Sequence, residues 1–175
     1  MKALRLLLAL GVALSVSACD SNRDDRVRRA FITQITVVDA PVLRPDGSRW
    51  DGGAFPSGPD IFVEVEGANG VELLSSRDIV DGEGNSVGTF QDADAVDFPI
   101  TFVFPDVRET EFNDLNRVLR IELRDADLTG SQSMLFTDQF TLDEFAPTSA
   151  GVTSNFRVES ADRTALVQVT VDWEN

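Results

Sequence analysis

Short runs of alternating apolar and polar residues recur along the chain, which is the pattern of half-buried β-strands. The cleanest run is 119–124, in which two leucines and an isoleucine share one face and the charged residues share the other. Clusters of Gly, Pro, Asp and Asn separate the runs, as turns do. The strands predicted in this way are 31–38, 61–65, 71–80, 100–104, 119–124, 134–142 and 167–173.

No segment carries an apolar stripe with the period of a helix. Roughly seven or eight half-buried strands in a chain of this length favour two packed antiparallel sheets. The predicted fold class is therefore all-β, an antiparallel two-sheet β-sandwich of about eight strands. We expect one such domain over 31–175, with Trp173 in its core.

The first 18 residues predict export. Two basic residues precede an apolar stretch at 6–14, which is too short to cross a bilayer as a permanent helix. The small residues just before Cys19 resemble the cleavage pattern of bacterial lipoprotein signal peptidase. We therefore expect a lipoprotein signal peptide over 1–18, lipid on Cys19, and a polar tether over 19–30.

Cys19 is the only cysteine, and it stands at the predicted cleavage position. The alternative is an ordinary secretory signal that happens to contain a cysteine. The lipoprotein interpretation places the protein in the bacterial cell envelope, attached to a membrane through its N-terminal lipid on the periplasmic side or at the cell surface. Asp20 resembles an inner-membrane retention signal of enteric bacteria, and the inner and outer membranes both remain open.

The chain is strongly acidic, with a formal net charge of -15 from 30 acidic and 15 basic residues. A surface of this charge repels nucleic acid, so no nucleic-acid partner is expected. Adaptation to a salty environment explains such acidity, because salt screens the self-repulsion. A second explanation is that some of the acidic side chains cluster in cation-binding sites, and the two explanations are compatible.

The residues that common catalytic mechanisms use are missing from the sequence. The chain has no His, which removes the usual base of a Ser or Cys triad, and its only Lys is Lys2 in the signal peptide. We therefore expect no enzymatic activity. A carboxylate-based glycan hydrolase is the enzyme class that the composition still allows.

Two acidic loops suggest a site for a hard cation. They span 39–60 and 123–133, and the second contains Asp125 and Asp127 at alternate positions beyond a predicted strand. Calcium prefers carboxylate and carbonyl oxygens, and clustered carboxylates repel one another unless a cation binds among them. The alternative is that these aspartates form turns by bonding their own backbone.

The pattern resembles the C-two domain, the calcium- and lipid-binding module of protein kinase C and synaptotagmin. Asp60-Ile61-Phe62-Val63 stands where that family has an Asp followed by a strand start, and Asp125-Ala126-Asp127-Leu128 is similar to its last binding loop. The run 98–104 is similar to its middle strand. The resemblance covers about residues 31–145, with a closing strand at 165–173.

This resemblance implies an eight-stranded sandwich with calcium, as a candidate cofactor, held by aspartates at one end. The residues that it assigns to the metal are Asp60, Asp125 and Asp127, with Asp46 and Asp51 as candidates for the remaining position. The sequence departs from the family pattern where Ser133 replaces a further acid and where residues 52–59 lengthen the first loop.

The function that we expect is non-enzymatic binding through the loop tips, to a membrane or a protein partner, with calcium as a gate. The alternative is a metal-independent structural or assembly lipoprotein that binds another envelope protein. Trp50 and Phe55 could insert into a membrane or partner, although packing within the loop is the simpler interpretation.

Overall fold

The computed structural model describes residues 26–50, 57–105, 110–127 and 130–175. Cys19, Asp51 and Phe55 lie outside the described residues. The described part of the chain contains nine strands and two short 3-10 helices, which confirms the predicted all-β class. The strands are β1 Arg29–Asp39, β2 Ile61–Gly67, β3 Glu72–Ser75, β4 Ile100–Val103, β5 Glu111–Phe112, β6 Leu119–Asp127, β7 Gly130–Phe136, β8 Val152–Glu159 and β9 Leu166–Glu174. The helices are Ser76–Asp78 and Asp143–Phe145.

The strands form two antiparallel sheets. One has the order β4-β1-β9-β8, with β5 also paired to β1, and the other has the order β3-β2-β6-β7. Their inward side chains join in one apolar core, to which Ile35 and Val169 contribute from the first sheet and Val63 and Ile121 from the second. Trp173 is 1% exposed in this core, as the sequence predicted.

Strand β6 is longer than its alternation pattern predicted. It runs on to Asp127 because it is paired on both sides, with Ile61 opposite Asp125 and Gly130 opposite Asp127. Asp125 and Asp127 are therefore the last residues of a strand, and not loop residues beyond it. Because alternate residues share a face, their side chains leave the same side of the sheet.

Two other predicted strands have the wrong extent. The run 71–80 ends as a strand at Ser75, because Ser76 turns into a 3-10 helix with its hydroxyl bonded elsewhere. The run 134–142 becomes β7, which begins at Gly130 and ends at Phe136. Strands β5 and β8 were not predicted.

None of the helices in the described part of the chain is long and apolar enough to cross a membrane.

Candidate functional site

Asp60 and Asp125 meet where β2 begins and β6 ends. The backbone N–H of Asp60 donates to Oδ1 of Asp125 over 2.8 Å, and the N–H of Ala126 donates to the carbonyl of Asp60 over 2.9 Å. Asp125 is completely buried, on the inward face of β6. The structure thus joins two of the aspartates that the sequence assigned to a metal, through the backbone N–H of Asp60 and the carboxylate of Asp125.

A third loop, which the sequence analysis missed, joins this pair. The N–H of Asp92 donates to Oδ1 of Asp60 over 2.8 Å, and Phe90 and Ile61 exchange two backbone hydrogen bonds of 2.7 and 2.8 Å. The signal was present in the sequence, because Asp92-Ala93-Asp94 has the same spacing as the triplet that ends β6. We call the segments 44–50, 57–60, 90–93 and 125–127 the loop end.

Asp127 is tied to the first loop through Gln132. Nε2 of Gln132 donates to Oδ2 of Asp127 over 2.6 Å, and Oε1 of Gln132 accepts from Nη2 of Arg44 over 3.1 Å. Arg44 also donates to the carbonyl of Trp50 over 2.7 Å, with its guanidinium 5.3 Å from the Trp50 ring. Trp50 is 6% exposed, which confirms the interpretation that it packs within the loop.

Asp46 lies in an exposed turn of the first loop, and its contacts are with that turn. Its Oδ1 accepts from the backbone N–H of Ser48 over 2.9 Å and from the Ser48 hydroxyl over 2.6 Å. The hydrogen bond from the Ser48 hydroxyl holds the pKa of Asp46 below its usual value. The carboxylate of Asp46 thus stabilises its own turn.

A second acidic group lies on the outer face of the four-stranded sheet. Glu64, Glu66 and Glu122 are all buried, and one ligand oxygen from each lies within 4.8 Å of the other two. That spacing is compatible with a divalent cation. The sequence pattern had assigned this face of β6 to solvent. The burial was missed because it depends on register, which places Glu64 directly opposite Glu122.

Two arginines already pair with these glutamates. Arg120 donates from Nε and Nη2 to Oε2 of Glu66 over 3.0 and 2.7 Å. Nη1 of Arg124 lies 3.1 Å from Oε2 of Glu64 and 3.2 Å from Oε2 of Glu122. Guanidinium groups among the carboxylates repel an added cation, so we interpret the group as an ion-pair network.

Aromatic rings complete this network. The Arg120 guanidinium lies 3.9 Å from the centre of the Phe136 ring, and Arg77 lies 5.0 Å from that of Phe62. Phe62 is completely buried although it belongs to the outer face of the sheet. Burial raises the pKa of Glu64 and, reinforced by the negative charge of Glu66, that of Glu122.

A cavity of about 470 Å³ opens beside β3. Leu74, Ile79 and Phe104 line it, and the exposed side chains of Glu72 and Asp78 also contribute.

No family model matches the sequence, and no curated protein matches it. C-two domains are among the solved structures that it is similar to. One is a C-two domain at 11% identity and a TM-score of 0.38, with 84% of this chain and 96% of that chain covered. A C-two domain protein from Ramazzottius varieornatus has 13% identity and a TM-score of 0.42, with coverage of 85% and 91%.

The paired C-two domains of extended synaptotagmin 2 have 12% identity and a TM-score of 0.42, with 97% of this chain and 48% of that chain covered. TM-scores this low add nothing to what the strand pairing establishes. The protein is an antiparallel two-sheet β-sandwich on the ground of its own sheets and core.

Proposed function

We propose that this chain is a non-enzymatic lipoprotein of the bacterial cell envelope, which binds calcium and a partner at its loop end. The export signal over 1–18 and the single Cys19 support the anchor. The absence of His, and of any Lys beyond Lys2, supports a binding role over a catalytic one.

The observation that carries the calcium proposal is the contact between Asp60 and Asp125, joined by a hydrogen bond of 2.8 Å. The side chain of Asp127, two residues after Asp125, projects from the same face of β6. The proposal requires the carboxylates of these three residues, which lie on adjoining segments, to converge on one cation and supply the oxygen ligands that calcium prefers. A bound cation would relieve their mutual repulsion and let the loop end attract phosphate, carboxylate or sugar groups of a partner or a facing membrane.

Isothermal titration calorimetry with calcium tests this site. Asp127→Asn removes one carboxylate from the site and should abolish the binding heat. Asp81→Asn is the matched control, because Asp81 is held by Asn85 in a separate turn, and it should bind calcium as the native chain does. Equal heats for both variants and the native chain would contradict the proposal.

A metal-independent assembly lipoprotein is the second candidate. It is favoured by the bonds that the acidic side chains already make within the loop end, where Asp60 accepts from Asp92 and Asp127 accepts from Gln132. In this case the carboxylates hold loops together for a protein partner. Binding of that partner would then be equally strong in calcium and in a chelator.

The lipid anchor has its own test in detergent phase partitioning of the full chain from bacterial membranes. The native chain should enter the detergent phase, and Cys19→Ser should move it to the aqueous phase. Equal partitioning of the two would reject the anchor and leave an ordinary secreted protein.

A further inference from the structure

Three of the four sheet edges carry devices that discourage pairing with another strand. Strand β3 has four residues and a register shift, and β7 has a register shift beside Leu123. Strand β4 also has four residues and lies between Pro99 and Pro105. Short strands, bulges and flanking prolines are the means by which proteins protect sheet edges.

Strand β8 carries none of these three devices, and its two charged residues, Arg157 and Glu159, lie in its C-terminal half. Its eight residues pair with β9 in one unbroken register, without a proline. In the described part of the chain no strand pairs with its other side, apart from a bridge between Thr137 and Ser160 just past its end. It is therefore the longest regular edge in that part of the molecule.

The backbone groups that β8 presents at this edge can be assigned from two hydrogen bonds. Ser160 donates to the carbonyl of Ala165 over 3.0 Å, so even-numbered residues of β8 face β9. The carbonyl of Glu159 accepts from Asp138 over 2.8 Å, so odd-numbered residues face away. The N–H and C=O groups of Thr153, Asn155 and Arg157 accordingly point outward from the sheet.

The local charges at β8 fit a second copy of this chain as the occupant, in spite of the repulsion between two acidic molecules. Two molecules of net charge -15 repel each other, and residues 146–156 form a stretch without any charged residue. Antiparallel pairing of β8 with itself, centred on Asn155, places Thr153 opposite Arg157, so no like charges meet. Arg157 would then lie one strand away from Asp172 of the second copy, since Asp172 pairs with Thr153.

We propose that β8 pairs with β8 of a second copy about a twofold axis at Asn155, joining the sheets β4-β1-β9-β8 of the two copies into one. In each copy the backbone N–H groups donate and the C=O groups accept at Thr153, Asn155 and Arg157. The pairing then has about six backbone hydrogen bonds. An interface of one strand pair is small, so association is weak in dilute solution and grows when lipid anchors hold the copies on one surface. The proposal does not depend on calcium.

Sedimentation equilibrium of the full chain in density-matched detergent tests the pairing. From micromolar to millimolar protein, the average mass of the native chain should rise toward twice that of the monomer. Asn155→Pro removes the outward N–H without touching the bonds to β9, and proline is tolerated at such edge positions. It should stay monomeric, whereas Asn155→Thr should associate like the native chain.

Cross-linking provides a second measurement that does not depend on the proline variant. In a Cys19→Ser background, Asn155→Cys should be joined to itself by a short bis-maleimide. Val103→Cys is the control, because Val103 is exposed on β4 at the opposite edge of the same sheet. A monomer at every concentration, or equal cross-linking at Val103 and Asn155, would overturn the proposal.

Discussion

At the scale of single residues, Arg124 decides whether two buried carboxylates are tolerated. It contacts Glu64 and Glu122, whose side chains are 8% and 3% exposed, and its Nη2 donates to the hydroxyl of Ser131 over 2.9 Å. Burial of an ion pair adds little net stability, but removal of one partner is costly because the other charge stays buried. Loss of Arg124 would therefore cost more stability than the intact network adds to the fold.

Arg124→Met should lower the free energy of unfolding by about 2–4 kcal/mol, because it leaves two buried glutamates without their guanidinium. Arg163→Met is the comparison, since Arg163 lies 4.0 Å from Glu159 with both side chains well exposed. It should cost about 0–1 kcal/mol. Urea denaturation measures both values, and equal losses would contradict the account of the network.

The raised pKa of Glu122 predicts a pH dependence. In the folded state Glu122 keeps its proton to a higher pH than in the unfolded chain. The stability that the protonated Glu122 contributes is therefore complete in acid, and it is lost as the pH rises through the pKa of Glu122 in the folded state. Glu122→Gln removes this loss, and its melting temperature relative to the native chain should increase from acid to neutral pH. Glu83→Gln, on an exposed turn, is the control, and the same pH dependence for the two variants would be the contrary result.

At the scale of elements, the short helix after β3 fixes the loop that leads to the loop end. The buried hydroxyl of Ser76 accepts from the N–H of Val63 over 3.0 Å and donates to the carbonyl of Gly88 over 2.6 Å. A Cβ on Gly88 would come within 1.5 Å of the Ser76 carbonyl oxygen. Only glycine allows this approach, so the packing of Gly88 helps to set the path of the chain toward Asp92.

Gly88→Ala should destabilise the protein by more than about 2 kcal/mol, because the backbone of Ser76 must move. Gly82→Ala is the matched control, with no atom within 4 Å of its Cβ position. It should leave the melting temperature nearly unchanged or raise it slightly. Thermal melts of the two variants compare them, and similar melting temperatures would show that the contact at Gly88 is not tight.

Alternation predicted the strands whose inward positions are filled by large apolar residues, and it missed β8. β6 and β9 were predicted because each alternates large apolar residues toward the core. β8 was missed because its inward positions include Ser154 and its only large buried side chains are Phe156 and Val158. The contact of Asp60 with Asp92 depends on the path of a long loop, which periodicity does not encode.

At the scale of the whole molecule, the sequence assigned residues to the site and the structure showed how they are arranged. Asp60 and Asp125 meet, Asp127 joins them through the same strand face, and Asp46 remains with its own turn. The buried glutamates opposite one another were beyond sequence analysis, because cross-strand register is set by the whole sheet. A binding role for the loop end therefore rests on three carboxylates and the loops that hold them.

A thermal melt in calcium, in magnesium and in a chelator, at one high salt concentration, tests that role most directly. The sample is the chain from residue 19 onward with Cys19→Ser. A ligand that binds only the folded state stabilises it by mass action, so calcium should raise the melting temperature, and the rise should be absent in Asp127→Asn. An unchanged melting temperature, or an equal rise with magnesium, would contradict a calcium site at the loop end.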